Sequence, residues 1–259
     1  MTTSGEPRRI AEYYDRWSPL FLQSFGSVFQ AGLVDRMSPA DSVVEMTSDV
    51  PFAAGDLILD AGCGIGGPAI ALAQAHAGIE IEAITISPVQ ATMARDLIAD
   101  AHLENRVRVA VGDYHALPYA DAAFDHVILF EAIGYSHDPQ QLLSELHRVL
   151  KPNGTVFVKD VFRRSAPLTA DELAAMQEFD ELWACVRSPK LSEIEATALA
   201  VGFVDVVAAP VEFSTERLLG AMFRFSSKGI EYSQLGEQFY RPDLRPPVVF
   251  GRVVGRRPA

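Results

Sequence analysis

The chain has 259 residues, a formal net charge of −12, and 49% hydrophobic against 22% charged residues. That length and mix suit a soluble α/β protein with a sizeable core, built as one large unit or two small ones. The acidity disfavours nucleic acid and anionic membrane surfaces as partners, and an anionic substrate would need a local basic pocket.

Residues 1–8 read as a loose tail without the apolar core of a signal peptide. From Ile10 to Phe29, Trp17, Phe21, Phe25 and Phe29 step by four beside Tyr13 and Tyr14. That spacing predicts amphipathic helix, divided in two near Gly26. Strands are expected at 56–61, 80–86, 106–111, 124–131 and 155–161. Helices are expected at 67–77, 88–101 and 139–150, the last stopped by Lys151-Pro152-Asn153-Gly154. The alternation predicts an α/β fold with a doubly wound, mostly parallel sheet, whose ligands bind at the carboxyl ends of its strands. Asp60, Thr85, Asp113, Glu131 and Asp160 all fall at such exits.

Beyond Val161 the pattern changes. A helical stretch from Glu172 to Val186, a helix near 191–201 and a strand at 203–209 precede a mixed helical segment at 213–240. A last strand follows at 247–255. Segments 163–190 and 210–246, with an N-terminal cover at 10–50, are expected to form a substrate lid on one domain spanning 1–259. No run approaches the about 20 apolar residues that span a bilayer. Cys63 and Cys185 give neither a disulfide framework nor metal spacing. A cytoplasmic protein without membrane insertion is the expectation.

The most informative segment is Leu57-Ile58-Leu59-Asp60-Ala61-Gly62-Cys63-Gly64-Ile65-Gly66-Gly67-Pro68. It reads as a buried strand, a glycine turn, and a helix opened by proline. Gly62, Gly64 and Gly67 satisfy the dinucleotide pattern G-x-G-x-x-G, while Gly62, Gly64 and Gly66 satisfy the G-x-G-x-G loop that takes S-adenosylmethionine. Charge discriminates between them. A pyrophosphate at the helix N-terminus would be repelled by Asp60, whereas an ammonium and a sulfonium would be attracted. A dinucleotide also wants an acid at the end of the next strand, where this chain has Thr85.

Three further motifs follow. In Thr85-Ile86-Ser87-Pro88-Val89-Gln90, Thr85, Ile86 and Gln90 are candidates for the ribose side, and Ser87 before Pro88 is a helix N-cap. In Gly112-Asp113-Tyr114-His115, Asp113 could accept the adenine amino hydrogens while Tyr114 covers the ring; the alternative for Asp113 is an Asx turn. In Phe130-Glu131-Ala132-Ile133-Gly134-Tyr135-Ser136-His137, Glu131 could stabilise positive charge or take a proton, and Tyr135 could face the substrate. His115 and His137 are candidate general bases because imidazole titrates near neutrality.

At these motifs the chain resembles the class I S-adenosylmethionine-dependent methyltransferases. The resemblance covers residues 10–161 well and implies a Rossmann-like seven-stranded sheet. Thr85-Ile86-Ser87-Pro88-Val89-Gln90 is similar to the tocopherol and sterol C-methyltransferase branch. Glu131-x-x-x-Tyr135 and Gly229-Ile230-Glu231 are similar to the geranyl diphosphate C-methyltransferases, where many O-methyltransferases instead have histidine at the place of Tyr135. Tyr13-Tyr14-Asp15 resembles the family's N-terminal cover, which implies that Tyr14 touches the cofactor carboxylate.

An alkene attacking a sulfonium methyl needs no prior deprotonation but develops a carbocation, which rings and a carboxylate stabilise. Glu131, Tyr135, Tyr14 and Trp17 suit that role. The rest of the aromatic stripe reads as core. A prenyl diphosphate would need cations, for which Lys159, Arg163 and Arg164 lie near the fifth strand's exit, and Arg187, Lys190, Arg224 and Lys228 in the expected lid. Arg163 and Arg164 are the leading candidates, and Mg²⁺ would accompany a diphosphate. The expectation is therefore a C-methyltransferase acting on the alkene of an isoprenoid, a prenyl diphosphate. The alternatives are an O- or N-methyltransferase of a small natural product using His137 or His115, and a non-catalytic S-adenosylmethionine-binding scaffold. Nothing in the sequence decides oligomeric state, and a homodimer is compatible with it.

Overall fold

Short apolar runs bounded by turn residues form the strands here, and both faces of each central strand are buried. Ile58 faces one side of the sheet and Leu59 the other; Val127, Ile128, Leu129 and Phe130 alternate in the same way. In the computed structural model, residues 5–28, 37–211 and 247–259 are described. The expectations for Phe29, Arg224, Lys228, Gly229-Ile230-Glu231 and most of 210–246 lie outside them.

The elements run α1 (Glu6–Phe25), α2 (Pro39–Met46), β1 (Leu57–Ala61), α3 (Gly67–Ala75), β2 (Glu80–Thr85), α4 (Pro88–Asp100), β3 (Val107–Val111) and β4 (Phe124–Phe130). Then come α5 (Pro139–Val149), β5 (Leu150–Arg163), α6 (Ala170–Leu182), α7 (Leu191–Val201), β6 (Val204–Pro210) and β7 (Val248–Arg256). Seven strands form one sheet in the order β3-β2-β1-β4-β5-β7-β6. The first five are mutually parallel, and β7 is antiparallel to both β5 and β6. Strand order reverses between β1 and β4, so the crevice where such sheets bind ligands opens beside the glycine turn.

Helices cover both faces. On one, α5 and α7 bury Leu142, Leu143, Leu146, Val149, Ile194 and Ala198 against Leu59, Val127 and Val158. On the other, α2, α3 and α4 bury Val43, Met46, Leu72 and Ile98 against Ile58, Ile81 and Phe157. Side-chain caps start the helices where the sequence signals them. Ser87 accepts from the Gln90 N–H at the start of α4, and Asp138 accepts from the Gln141 N–H at the start of α5. Among the described residues no helix is long and apolar enough to cross a membrane.

Two boundaries differ from expectation. α1 starts at Glu6, since Pro7 is pre-organised for a first turn, so the loose tail is shorter than its sequence suggests. α1 then runs unbroken to Phe25, and Gly26, at φ 84°, ends it where the break is expected. The tetrapeptide 151–154 does not separate α5 from β5. The chain passes directly into an extended, irregular β5, with Asn153 left-handed at φ 67° and a register shift between Phe124 and His126.

The segment after α1 returns to the sheet at the first residue of α3. A Cβ on Gly67 would lie 2.0 Å from the Ser27 carbonyl oxygen. Gly67 thus serves the chain's own packing, and within the turn the glycines with positive φ are Gly62, Gly64 and Gly66, at 91°, 55° and 81°. Alanine at a helical position normally stabilises. Gly67→Ala should instead lower the thermal unfolding midpoint, at a cost of about 1–3 kcal/mol for overpacking. An unchanged midpoint would show that residues 26–28 yield freely.

Candidate functional site

The site is built around Asp60. β1 pairs on both sides, Asp60 opposite Ala83 and Ile128, and this pairing carries the carboxyl into the interior. Asp60, expected at the exit of its strand, is fully buried there. Neither carboxyl oxygen has a hydrogen-bond partner among the described residues. Burial pushes its pKa up to about 7. An unpaired buried carboxylate is costly, so a cation placed beside it would be held strongly.

The glycine turn keeps space open next to that carboxyl. The Gly62 and Cys63 N–H groups donate to the Ile84 carbonyl, tying the turn to the end of β2. A Cβ on Gly62 would meet the Ala132 Cβ at 2.6 Å, so the turn after β4 closes directly against it. Tyr114 packs along the same glycine, and its hydroxyl donates to the Ala132 carbonyl at 3.0 Å.

At the exit of β2, the Thr85 hydroxyl donates to Gln90 Oε1 at 2.8 Å, and both residues are buried. Their polar atoms are thus partly spent on each other. Gln90 Nε2 lies 3.6 Å from where a Gly64 Cβ would stand, on the cradle side. Ile86 is half-buried next to them.

At the exit of β3, Asp113 accepts from the His115 N–H and from His115 Nδ1, both at 2.8 Å. The His115 partnership holds the Asp113 carboxyl below its ordinary range. His115 Nε2 lies 2.8 Å from Ser136 Oγ, so both ring nitrogens of this buried imidazole are engaged. The His137 ring lies against it, 4.0 Å between centroids. The two imidazoles thus gather beside Asp113.

Beyond β4 the backbone turns sharply, with Glu131 left-handed at φ 52°. Its carboxylate pairs with Lys159 Nζ, and Lys159 is fully buried. Lys159 is therefore an internal ion-pair partner and not one of the open cations its sequence position suggests; its ammonium also lies 5.3 Å over the Phe250 ring. The neighbouring Asp160 accepts from the Ile133 and Val161 N–H groups. Burial, reinforced by the Glu131 charge, pushes Asp160 up to about 7. The Tyr135 hydroxyl is hydrogen-bonded to that of Tyr14, the rings meeting edge-on at 5.5 Å. Burial raises both phenols well above their ordinary range. Tyr13, Tyr14, Trp17 and Trp183 pack around the buried Phe21, and Arg16 lies 4.9 Å over the Trp17 ring.

Arg163 and Arg164 are not open cations. Arg164 pairs with Glu172 at 2.6 Å, and Arg163 lies 3.6 Å from Glu193, which also holds Arg187. No cluster with metal-ligand character occurs among the described residues.

Sequence reasoning named Asp60, the glycines, Thr85, Gln90 and Asp113, and the structure brings all of these to one end of the sheet. It underrated Lys159 and Asp160. The signal was a charged pair inside the otherwise apolar run from Val156 to Phe162, where buried charges must find partners. It also gave no role to Asp15, which accepts from Ser87 Oγ and the Val89 N–H.

Residues 59–158 match the family model described as a methyltransferase domain. The methyltransferase GfsG of Streptomyces halstedii is 32% identical over 175 residues, covering 64% of this chain and 62% of the relative. That match therefore spans less than two thirds of the relative's length. The fold is shared with the [4+2]-cyclase SpnF, at a TM-score of 0.79 and 21% identity over 98% of this chain and 97% of the other. It is shared as well with geranyl diphosphate C-methyltransferase from Streptomyces coelicolor A3(2), at 0.75 and 17% identity over 99% and 100%.

Burial pushes the Asp60 carboxyl up to about 7, and a cationic ligand beside it would favour its ionised form. Binding of S-adenosylhomocysteine should therefore tighten as pH rises through about 7 and weaken toward tenfold per pH unit below it. Calorimetry in buffers of different ionisation enthalpy should detect proton release. Asp60→Asn should bind weakly and lose most of this pH dependence; a dependence retained in full would assign it to another group. The orphaned carboxyl and the glycine cradle thus lie within the residues that match the methyltransferase-domain model, on a sheet whose order is shared with these neighbours.

Proposed function

We propose that the protein is an enzyme that transfers the methyl group of S-adenosylmethionine to a carbon of an isoprenoid alkene. The supporting observation is the wall at the β4 exit, where Glu131, Tyr135 and Tyr14 converge while both imidazoles of the loops lie beside Asp113. A group that must first strip a proton from a hydroxyl is poorly served by that wall, and a developing carbocation is well served.

When bound, S-adenosylmethionine supplies an electrophilic methyl group. In this reading Asp60 holds its ammonium end. Thr85, Ile86 and Gln90 line the ribose, and Asp113 accepts from the adenine amino group next to Tyr114, with Gly62 and Gly64 giving backbone room. Tyr14 and Trp17 extend the wall to the substrate. Each ring face offers an adjacent cation roughly 0.5–2 kcal/mol. Lys159 fixes the Glu131 carboxylate in one orientation, so the negative end of the pair is pre-organised for positive charge developing on the substrate. The cover formed by α1 excludes water, which strengthens these interactions. Segments 10–50, 163–190 and 210–246 then act as the substrate side of one domain.

A prenyl diphosphate is the form of substrate we favour, with Mg²⁺ carried on the diphosphate. Arg163 and Arg164 would contribute by exchanging Glu193 and Glu172 for phosphate oxygens. A second reading, O- or N-methylation of a small natural product, draws on His137, whose ring nitrogens have no hydrogen-bond partner among the described residues.

Labelled S-adenosylmethionine with prenyl diphosphates, the matching alcohols and simple phenols separates these readings. Label on carbon is expected, and a methyl ether or methylamine product would favour the second reading. Glu131→Gln should lower kcat by about 10²–10³-fold, the scale for losing one pre-organised electrostatic group, with S-adenosylhomocysteine binding unchanged. Arg164→Ala should raise KM for the diphosphate but not for the alcohol; equal KM values would remove Arg164 from substrate binding.

A further inference from the structure

α1 crosses the carboxyl edge of the sheet and is fastened at three places. Near its start, Arg9 Nη2 donates to the carbonyls of Ala184 and Cys185, at 3.2 and 3.3 Å. Tyr14 bonds to Tyr135 beyond β4. One residue later, Asp15 Oδ1 accepts from Ser87 Oγ at 2.5 Å and from the Val89 N–H at 3.3 Å. Ser87 and Val89 lie beyond β2, in the loop and first turn of α4. β1 lies between β2 and β4 in the sheet, so Tyr14 and Asp15 bridge the mouth of the glycine turn from one side to the other. Past α1 the chain is seated on Gly67.

The Asp15 contact is chemically distinctive. Ser87 Oγ accepts the Gln90 N–H as a cap while donating its own hydrogen to Asp15. The same turn carries Gln90, which holds Thr85 and faces the glycine cradle. A carboxylate at a helix N-terminus is also favoured by the helix dipole. Pro19 lies four residues beyond Asp15 inside α1 and has no N–H for the Asp15 carbonyl, so the helix is weakened at the same residue.

We infer that Asp15 is a positioning residue for cofactor retention, a hasp that fastens the covering helix to the turn of α4 that walls the cradle. This rests on the S-adenosylmethionine reading of that cradle. Cofactor entry and product release require the Asp15 bonds to Ser87 and Val89 to open, with bending concentrated between Asp15 and Pro19. When they are closed, the same bonds hold Gln90 and Thr85 in place.

The test is the dissociation rate of S-adenosylhomocysteine from the full-length protein, measured by competitor chase, with KM for S-adenosylmethionine and kcat. Asp15→Ala should release the ligand about tenfold faster, the scale expected for losing one cap-type carboxylate contact. It should raise KM for the cofactor without lowering kcat. Asp15→Asn keeps an oxygen that accepts from Ser87 and should recover most of the slow release. Arg9→Ala loosens the other end of α1 without touching α4 and should also speed release. Parallel loss of kcat and KM in Asp15→Ala, with no rescue by Asn, would reduce the residue to general stability and overturn the hasp. So would dissociation as slow as in the unmodified chain. If the unmodified chain itself binds no S-adenosylhomocysteine, the cofactor reading fails instead, and the two failures are distinguishable.

Discussion

The buried carboxyl of Asp60 is the constraint on which the rest of this end of the sheet depends. It stands in a strand paired on both sides, so it cannot turn to solvent, and nothing described donates a hydrogen bond to it. Ionisation there is opposed by desolvation until a positive charge arrives. The adjoining turn adopts three left-handed glycine conformations, which preserve space beside the carboxyl at a cost in chain entropy. A fold stabilised for its own sake would fill that space or pair that acid.

In the proposed reading the covering helix makes the electrostatics effective. Charge attraction falls steeply with water between the partners, so a cradle for a cation benefits from a lid. α1 supplies one, and its fastenings reach elements that lie on either side of the cradle. Gly67 illustrates the coupling, because its missing Cβ admits the carbonyl of Ser27 just past the end of α1. A motif residue that a pattern search would assign to the ligand thus serves the cover.

At the β4 and β5 exits a different problem is solved. Lys159 and Asp160 are adjacent charged residues within a buried strand. One is neutralised by Glu131, and the other is satisfied by two backbone N–H groups and kept from ready ionisation. The result is a polar floor of paired groups beside the Tyr14–Tyr135 ring pair. The same fold carries a [4+2]-cyclase and a C-methyltransferase, so this side-chain arrangement, more than the sheet, decides which reaction follows.

Much of this protein could be read from local sequence. Apolar periodicity and turn residues located the first four parallel strands to within a residue, because both signals act over a few neighbours. The departures, at Glu6 and at 151–154, are places where a capping proline or an irregular strand replaced a simple boundary. Asp60, the glycines and Asp113 were legible for the same reason, being short motifs with their chemistry built in. The partners were not. Phe130 sits opposite Lys159 in the sheet, which brings Glu131 to an ammonium 28 residues away. Asp15 reaches Ser87 across 72 residues, and Arg164 reaches Glu172 only after a capping turn forms. Sequence alone determined which groups exist and which strand ends they occupy. Tertiary structure decided which charges are spent on one another and which is left waiting, because pairing depends on strand order and register, and those are set by the burial of the whole core.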